Sequence, residues 1–144
     1  MKWDWMTHGA YHIFAMPKNR LQHILVYVTT SSQKEAGRIS ESLLSKKLIA
    51  CANILPASMS LYRWKGKVKQ AKESILLMKT TSEKFKEIEK YVSSIHSYEC
   101  PCILQVQIHR GNSRFLRWIE ETIHGKLRAR RGGRVVDGDS LENC

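Results

Sequence analysis

The stretch from Cys51 to Thr81 constrains the fold more than any other. It reads as two long extended segments, "CANILPASMSLYRW" and "KVKQAKESILLMKTT", separated by a turn at "WKGK". Gly66 supplies the freedom to take positive φ that a tight turn needs. Pro56 has no N–H to donate, so it marks an edge, a bulge or an irregular stretch of the first strand. Usual strands run about five or six residues, so a hairpin of this length overhangs any small sheet. Its far half must pair with something, and a neighbouring copy of the chain in a symmetric homo-oligomer is the economical answer.

The flanking segments say what the near half pairs with. "HILVYVTT" at 23–30 is short, apolar and rich in β-branched residues, which predicts a buried strand. Ser32 and Glu35 have capping-box spacing, and Ala36, Ile39, Leu43 and Leu44 follow at helical intervals. Thr80 and Glu83 have the same cap spacing ahead of a second helix with Phe85, Ile88, Val92 and Ile95 on one face. Pro101 pushes Cys100 out of the α region and ends that helix near Ser97. In "CILQVQIHRG", Leu104, Val106 and Ile108 alternate with Gln105, Gln107 and His109, which predicts a strand with one wet face. A last helix, capped by Asn112 or Ser113, carries Phe115, Leu116, Ile119 and Ile123 and stops at Gly125. The order β-α-β-β-α-β-α is an α+β arrangement, a ferredoxin-like split βαβ with an antiparallel sheet. Residues 1–22 read as a variable N-terminal extension, 23–124 as the domain and 125–144 as a polar, disordered tail.

Composition narrows the function classes. With 42% hydrophobic and 26% charged residues, the 144-residue chain suits one soluble globular domain. No apolar run approaches the roughly 20 residues that span a bilayer. The aromatic N-terminus, broken by Asp4, Thr7, His8 and His12, matches neither a secretory signal nor a transit peptide, which leaves the cytoplasm as the default compartment. Of the net charge of +11, much lies in "YRWKGKVKQAKE", while the tail that contains "KLRARRGGR" nets +2. No nucleic-acid motif accompanies these stretches, so a solvated hairpin with edge-protecting charges is the preferred reading over a nucleic-acid surface. Cys51, Cys100, Cys102 and Cys144 are too few and too unevenly spaced for a disulfide framework and read as reduced thiols.

"HSYECPCI" at 96–103 gathers a histidine, a glutamate and two cysteines around a proline. Taken with Asn53, Tyr62, Trp64, Gly66, Glu73, Lys79 and Trp118 in that order, it carries a resemblance to the CutA family of divalent-cation tolerance proteins over roughly residues 23–124. The resemblance implies a ferredoxin-like subunit in a homotrimer similar in design to the PII signalling proteins. It also implies a role in tolerance to copper and other divalent metals and, for animal members, in anchoring of acetylcholinesterase. Bacterial members resemble copper binders through a first-strand cysteine and paired histidines. Here those positions are Thr29, Ile95 and His96, while Ser97 replaces a proline and Cys102 a glutamate.

Two candidate sites follow. Imidazole and thiolate suit copper, so His96 and Cys51 are the candidate metal ligands, with copper or another divalent cation as the ion. The alternative is a helix-end His interacting with the dipole and a buried Cys acting as a small hydrophobe. In relatives, Tyr62, Trp64, Glu73 and Lys79 line a cleft between subunits suited to a small ligand or a protein partner, the alternative being plain interface packing. Catalysis is not expected. The chain has no nucleophile elbow, zinc-protease helix motif, phosphate-binding loop or dinucleotide fingerprint. His12, His23, His96, His109 and His124 have no partner visible in sequence.

Overall fold

The computed structural model describes residues 21–125. The expectations for 1–20 and 126–144, and for Cys144, lie outside the described residues. The elements are β1 (His23–Thr30), α1 (Gln33–Ser45), β2 (Cys51–Trp64), β3 (Lys67–Thr81), α2 (Phe85–Ile95), β4 (Ile103–Gln107) and α3 (Ser113–His124), with a single turn of 3-10 helix at Ser82–Lys84. The sheet order is β2-β3-β1-β4 with antiparallel neighbours, the ferredoxin-like arrangement read from the sequence.

Strand periodicity divides the sheet into two faces. Ile24, Val26, Val28, Leu76 and Met78 point to one face and meet Ile39 and Leu43 of α1 and Ile88 and Val92 of α2, all of them buried. Asn112 caps α3 by accepting from the backbone N–H groups of Arg114 and Phe115. Ile119 and Ile123 of α3 form a second buried cluster with Ala50. His23 at the start of β1 ties α3 to the sheet, its Nε2 lying 2.9 Å from Glu120 Oε1 and 3.0 Å from the Leu116 carbonyl.

Two local expectations change. Thr80 is not a cap: it is a buried strand residue whose hydroxyl donates to the Leu48 carbonyl at 2.7 Å, and Thr81 precedes the 3-10 turn without a side-chain capping bond. Strand β4 is only five residues long, and its apolar residues Leu104 and Val106 lie on the face opposite the helices, 54% and 49% exposed. Of the strand's helix-side residues, Ile103 alone packs on the core. The period of two holds, but the apolar side is the side that the described residues leave uncovered.

The hairpin overhang is present. Strand β1 pairs with β3 only over Ser74–Thr81, whereas β2 and β3 pair with each other from Cys51↔Lys79 to Trp64↔Lys67. Residues 58–73 therefore extend past the sheet as a two-stranded arm. A bulge between Leu55 and Ser58, with Ala57 at φ 57°, absorbs Pro56. The turn takes positive φ at both Lys65 and Gly66. Met59, Leu61, Trp64 and Val68 on the arm are each about 60% exposed or more.

Candidate functional site

A cavity of about 900 Å³ lies on the sheet face turned away from α1 and α2, where the arm faces the 97–102 segment. Its walls bring together Tyr62, Trp64 and Glu73 from the hairpin with Tyr98, Cys100 and Cys102 from "HSYECPCI". The bulge makes this possible: it restores register so that Ser58, Ser60, Tyr62 and Trp64 continue the face carried by Glu73. Glu73 accepts a hydrogen bond from the Ser60 hydroxyl at 2.5 Å. Tyr98 is held protonated, its phenol pushed up to about 12 by burial and by its hydrogen bond to the Glu73 carboxylate. At neutral pH Tyr98 is therefore a hydrogen-bond donor in the cavity and not a base.

Beneath the cavity sits a carboxylate clip. Glu35 of α1 is buried and accepts from the Ser31 hydroxyl at 2.6 Å, the Ser31 N–H at 3.0 Å, the Ser97 N–H at 2.7 Å and the Ser97 hydroxyl at 3.0 Å. Burial alone pushes its carboxyl up. The four hydrogen bonds more than offset that and hold it at about 2. A proline at position 97 has no N–H, so it cannot make the backbone bond that Ser97 makes here.

His96 belongs to the same clip. Its side chain is fully buried. Nε2 lies 2.9 Å from the Thr29 carbonyl, and Nδ1 accepts from the Tyr98 N–H at 3.0 Å. A carbonyl only accepts and an amide N–H only donates, so these partners assign a neutral imidazole protonated on Nε2. The ring is not turned back on the α2 carbonyls as a charged cap; the backbone N–H of His96 bonds to the Val92 carbonyl instead. Ligating a metal through this ring requires one of its two bonds to break.

Cys51 and Lys79 lie elsewhere. Cys51 pairs with Lys79, and Lys79 donates to the Asn53 side chain. Along β3, Lys79 is four residues from Ile75, the partner of Thr29, which is roughly 13 Å. It is six residues from Glu73, roughly 20 Å. The chain thus does not bring Cys51 to His96, nor Lys79 to the Tyr62–Trp64–Glu73 cavity. Burial pushes the Cys51 thiol up against the lowering effect of Lys79, and burial followed by Glu73 pushes Cys102 up. Neither is a low-pKa thiolate of the kind that redox switches use. Among the described residues, no group of three or more His, Cys, Asp or Glu side chains is placed to hold a metal ion.

A family model described as CutA1 divalent ion tolerance protein matches residues 24–122. The chain belongs to the CutA family. A divalent-cation tolerance protein CutA from Archaeoglobus fulgidus is 46% identical over 101 residues, covering 70% of this chain and 98% of the relative. A CutA homolog from Xenopus laevis is 36% identical, covering 67% of this chain and 64% of the relative. The Archaeoglobus structure superposes with a TM-score of 0.68 over 70% of this chain and 98% of its own. The CutA1 structure from Oryza sativa, 33% identical, gives 0.69 over 71% of this chain and 94% of its own. The CutA relationship thus covers β1 through α3.

Sequence reasoning missed Glu35 and Ser97 as functional supports. Glu35 was read as a helix-start residue, which it is: its N–H donates to Ser32 Oγ. Two of its carboxylate bonds stay local, to Ser31, while the two from Ser97 cross 62 residues, and no local spacing encodes that crossing. Tyr27, Thr29, Ser60 and Lys69 also reach the cavity wall. Period-two reading places Tyr27 and Thr29 on one face, but cannot say that the arm bends over them. His23 and His124 do have acidic partners, Glu120 and Glu83, both outside the cavity lining.

Proposed function

We propose that this chain acts as a homotrimer of PII-like design that binds divalent metal ions, copper among them, in the cytoplasm as part of cation tolerance, without catalysing a reaction. The observation that carries the assembly is the sheet face turned away from α1 and α2. Leu55, Leu104 and Val106 on the sheet and Tyr62 and Trp64 on the arm form one apolar surface, all more than 40% exposed in the single chain. Three arms docked on three such faces would cover it and pair the overhang. The metal role rests on the family description. No described helix is long and apolar enough to cross a membrane.

Calorimetric titration of the reduced protein with Cu(I), Cu(II) and Zn(II), alongside His96→Ala and Cys51→Ser, tests the metal role. Binding tighter than millimolar supports it, and its absence for all three ions removes it. A second reading, a small-ligand sensor or trimeric adaptor, is favoured by the cavity itself. Tyr62, Trp64 and Tyr98 supply aromatic walls, and Glu73 and Lys69 supply polar anchors. A thermal-shift screen of nucleotides and carboxylates separates the readings, since a ligand that binds only the native state raises its stability.

A further inference from the structure

The two thiols of "ECPC" have different surroundings from Cys51. Cys100 is exposed, Cys102 is half-buried, and both open onto the one cavity. Pro101 between them keeps Cys100 out of the α region. Cys100 lies in a bend and Cys102 two residues on, just before β4, so one short segment brings both thiols to the cavity wall. Two metal–thiolate bonds of about 2.3 Å, the zinc value, span about 4.6 Å from sulfur to sulfur when arranged in line. The charges of the lining favour a cation: Glu73 and Glu99 carry negative charge there against the single ammonium of Lys69. Cys51 has the opposite setting, beside Lys79 and away from any carboxylate of the cavity.

We propose that Cys100 and Cys102 form a two-thiolate site for a soft, thiol-seeking cation, Cu(I) being the ion to test. The inference deepens the metal reading above and rests on it. It moves the site from the buried His96 ring to the cavity mouth. Soft thiolates select Cu(I) over harder ions, and a two-coordinate ion needs no third donor. On binding, two S–H bonds break, both protons pass to solvent, two S–Cu bonds form, and no electron is transferred. Uptake therefore releases protons and weakens as the pH falls.

The test is an anaerobic titration of the full chain with Cu(I) buffered by a chromophoric chelator, in the wild type and in a Cys144→Ser background. The expected result is one Cu(I) per chain in both, with X-ray absorption showing sulfur neighbours only. Cys100→Ser and Cys102→Ser should each weaken binding by more than about 100-fold, the upper end of what loss of an outer-shell partner costs. Cys51→Ser and His96→Ala should leave it unchanged. Circular dichroism and mass in solution report whether each variant keeps fold and assembly. Full-strength binding by the Cys100→Ser/Cys102→Ser double variant overturns the site while leaving the metal reading standing, as does loss of binding in Cys51→Ser or Cys144→Ser. Failure of the wild type to bind Cu(I), Cu(II) or Zn(II) overturns both.

Discussion

The near and far halves of the β2–β3 hairpin follow the same pairing rules in different surroundings. From Ser74 to Thr81, β3 lies between two strands and beneath two helices, and its alternate residues Ser74, Leu76, Met78 and Thr80 are buried. From Lys67 to Glu73 the same strand has one partner and no helix over it, and none of its residues is buried. The near half is held by its own chain. The far half keeps large apolar side chains that the described residues leave uncovered, the surface that the proposed assembly would bury.

Substitutions in the near half should act on the folded chain itself. Leu76→Ala removes a fully buried side chain from the main core, and a loss of about 2–5 kcal/mol is expected in denaturant unfolding. A loss below about 1 kcal/mol would mean that the near half is not the stabilising half. Leu61→Ser on the arm should change the stability of the isolated chain by no more than about 0.5 kcal/mol while weakening self-association.

The clip comes next in size. Glu35→Gln gives up charge-assisted hydrogen bonds, and about 1.5–3 kcal/mol should be lost at neutral pH. The pH dependence has a definite sign. Glu35 is held at about 2 in the folded chain against an ordinary 4.5, so between those values the unfolded chain binds the extra proton. Its contribution is present above about pH 4.5 and is lost as the pH falls toward 2. Acid titration of unfolding should show this slope in the wild type and a shallower one in Glu35→Gln; identical slopes would show that the clip carries no linkage. Ser97→Pro, which removes one donor N–H, should fall between the two.

The smallest expected effect is at the turn. Lys65 holds φ at 47°, a region that costs a side-chain-bearing residue about 1–2 kcal/mol. Glycine there offsets most of that with its own chain entropy. Lys65→Gly should gain roughly 0.5 kcal/mol in thermal unfolding, and a clear loss would place an unrecognised contact at the arm tip.

Much of the fold was legible because it is written locally. Strand and helix periods, the Ser32 cap, the Asn112 cap, the bulge at Pro56 and the excess length of the hairpin can all be read within short windows. Two errors share one cause. Leu104 and Val106 have the pattern of a core strand, and Thr80 has the spacing of a cap, but which face is covered and which hydroxyl is buried depend on elements distant in the chain. The site was harder for the same reason. Strand period puts Tyr62 and Trp64 on one face, while Glu73 joins them only through the CutA resemblance, which also brought in the distant Lys79. The separation of His96 from Cys51 and the occupation of both His96 nitrogens depend on how β1, β3 and the 96–98 segment meet.

Mass in solution tests the central claim most directly. Sedimentation equilibrium at micromolar concentration should give three times the 16.7 kDa chain mass, and Leu61→Ser should shift that population toward the single chain. A wild-type protein that remains monomeric under those conditions, with its arm and the sheet face turned away from α1 and α2 open to water, would contradict the account.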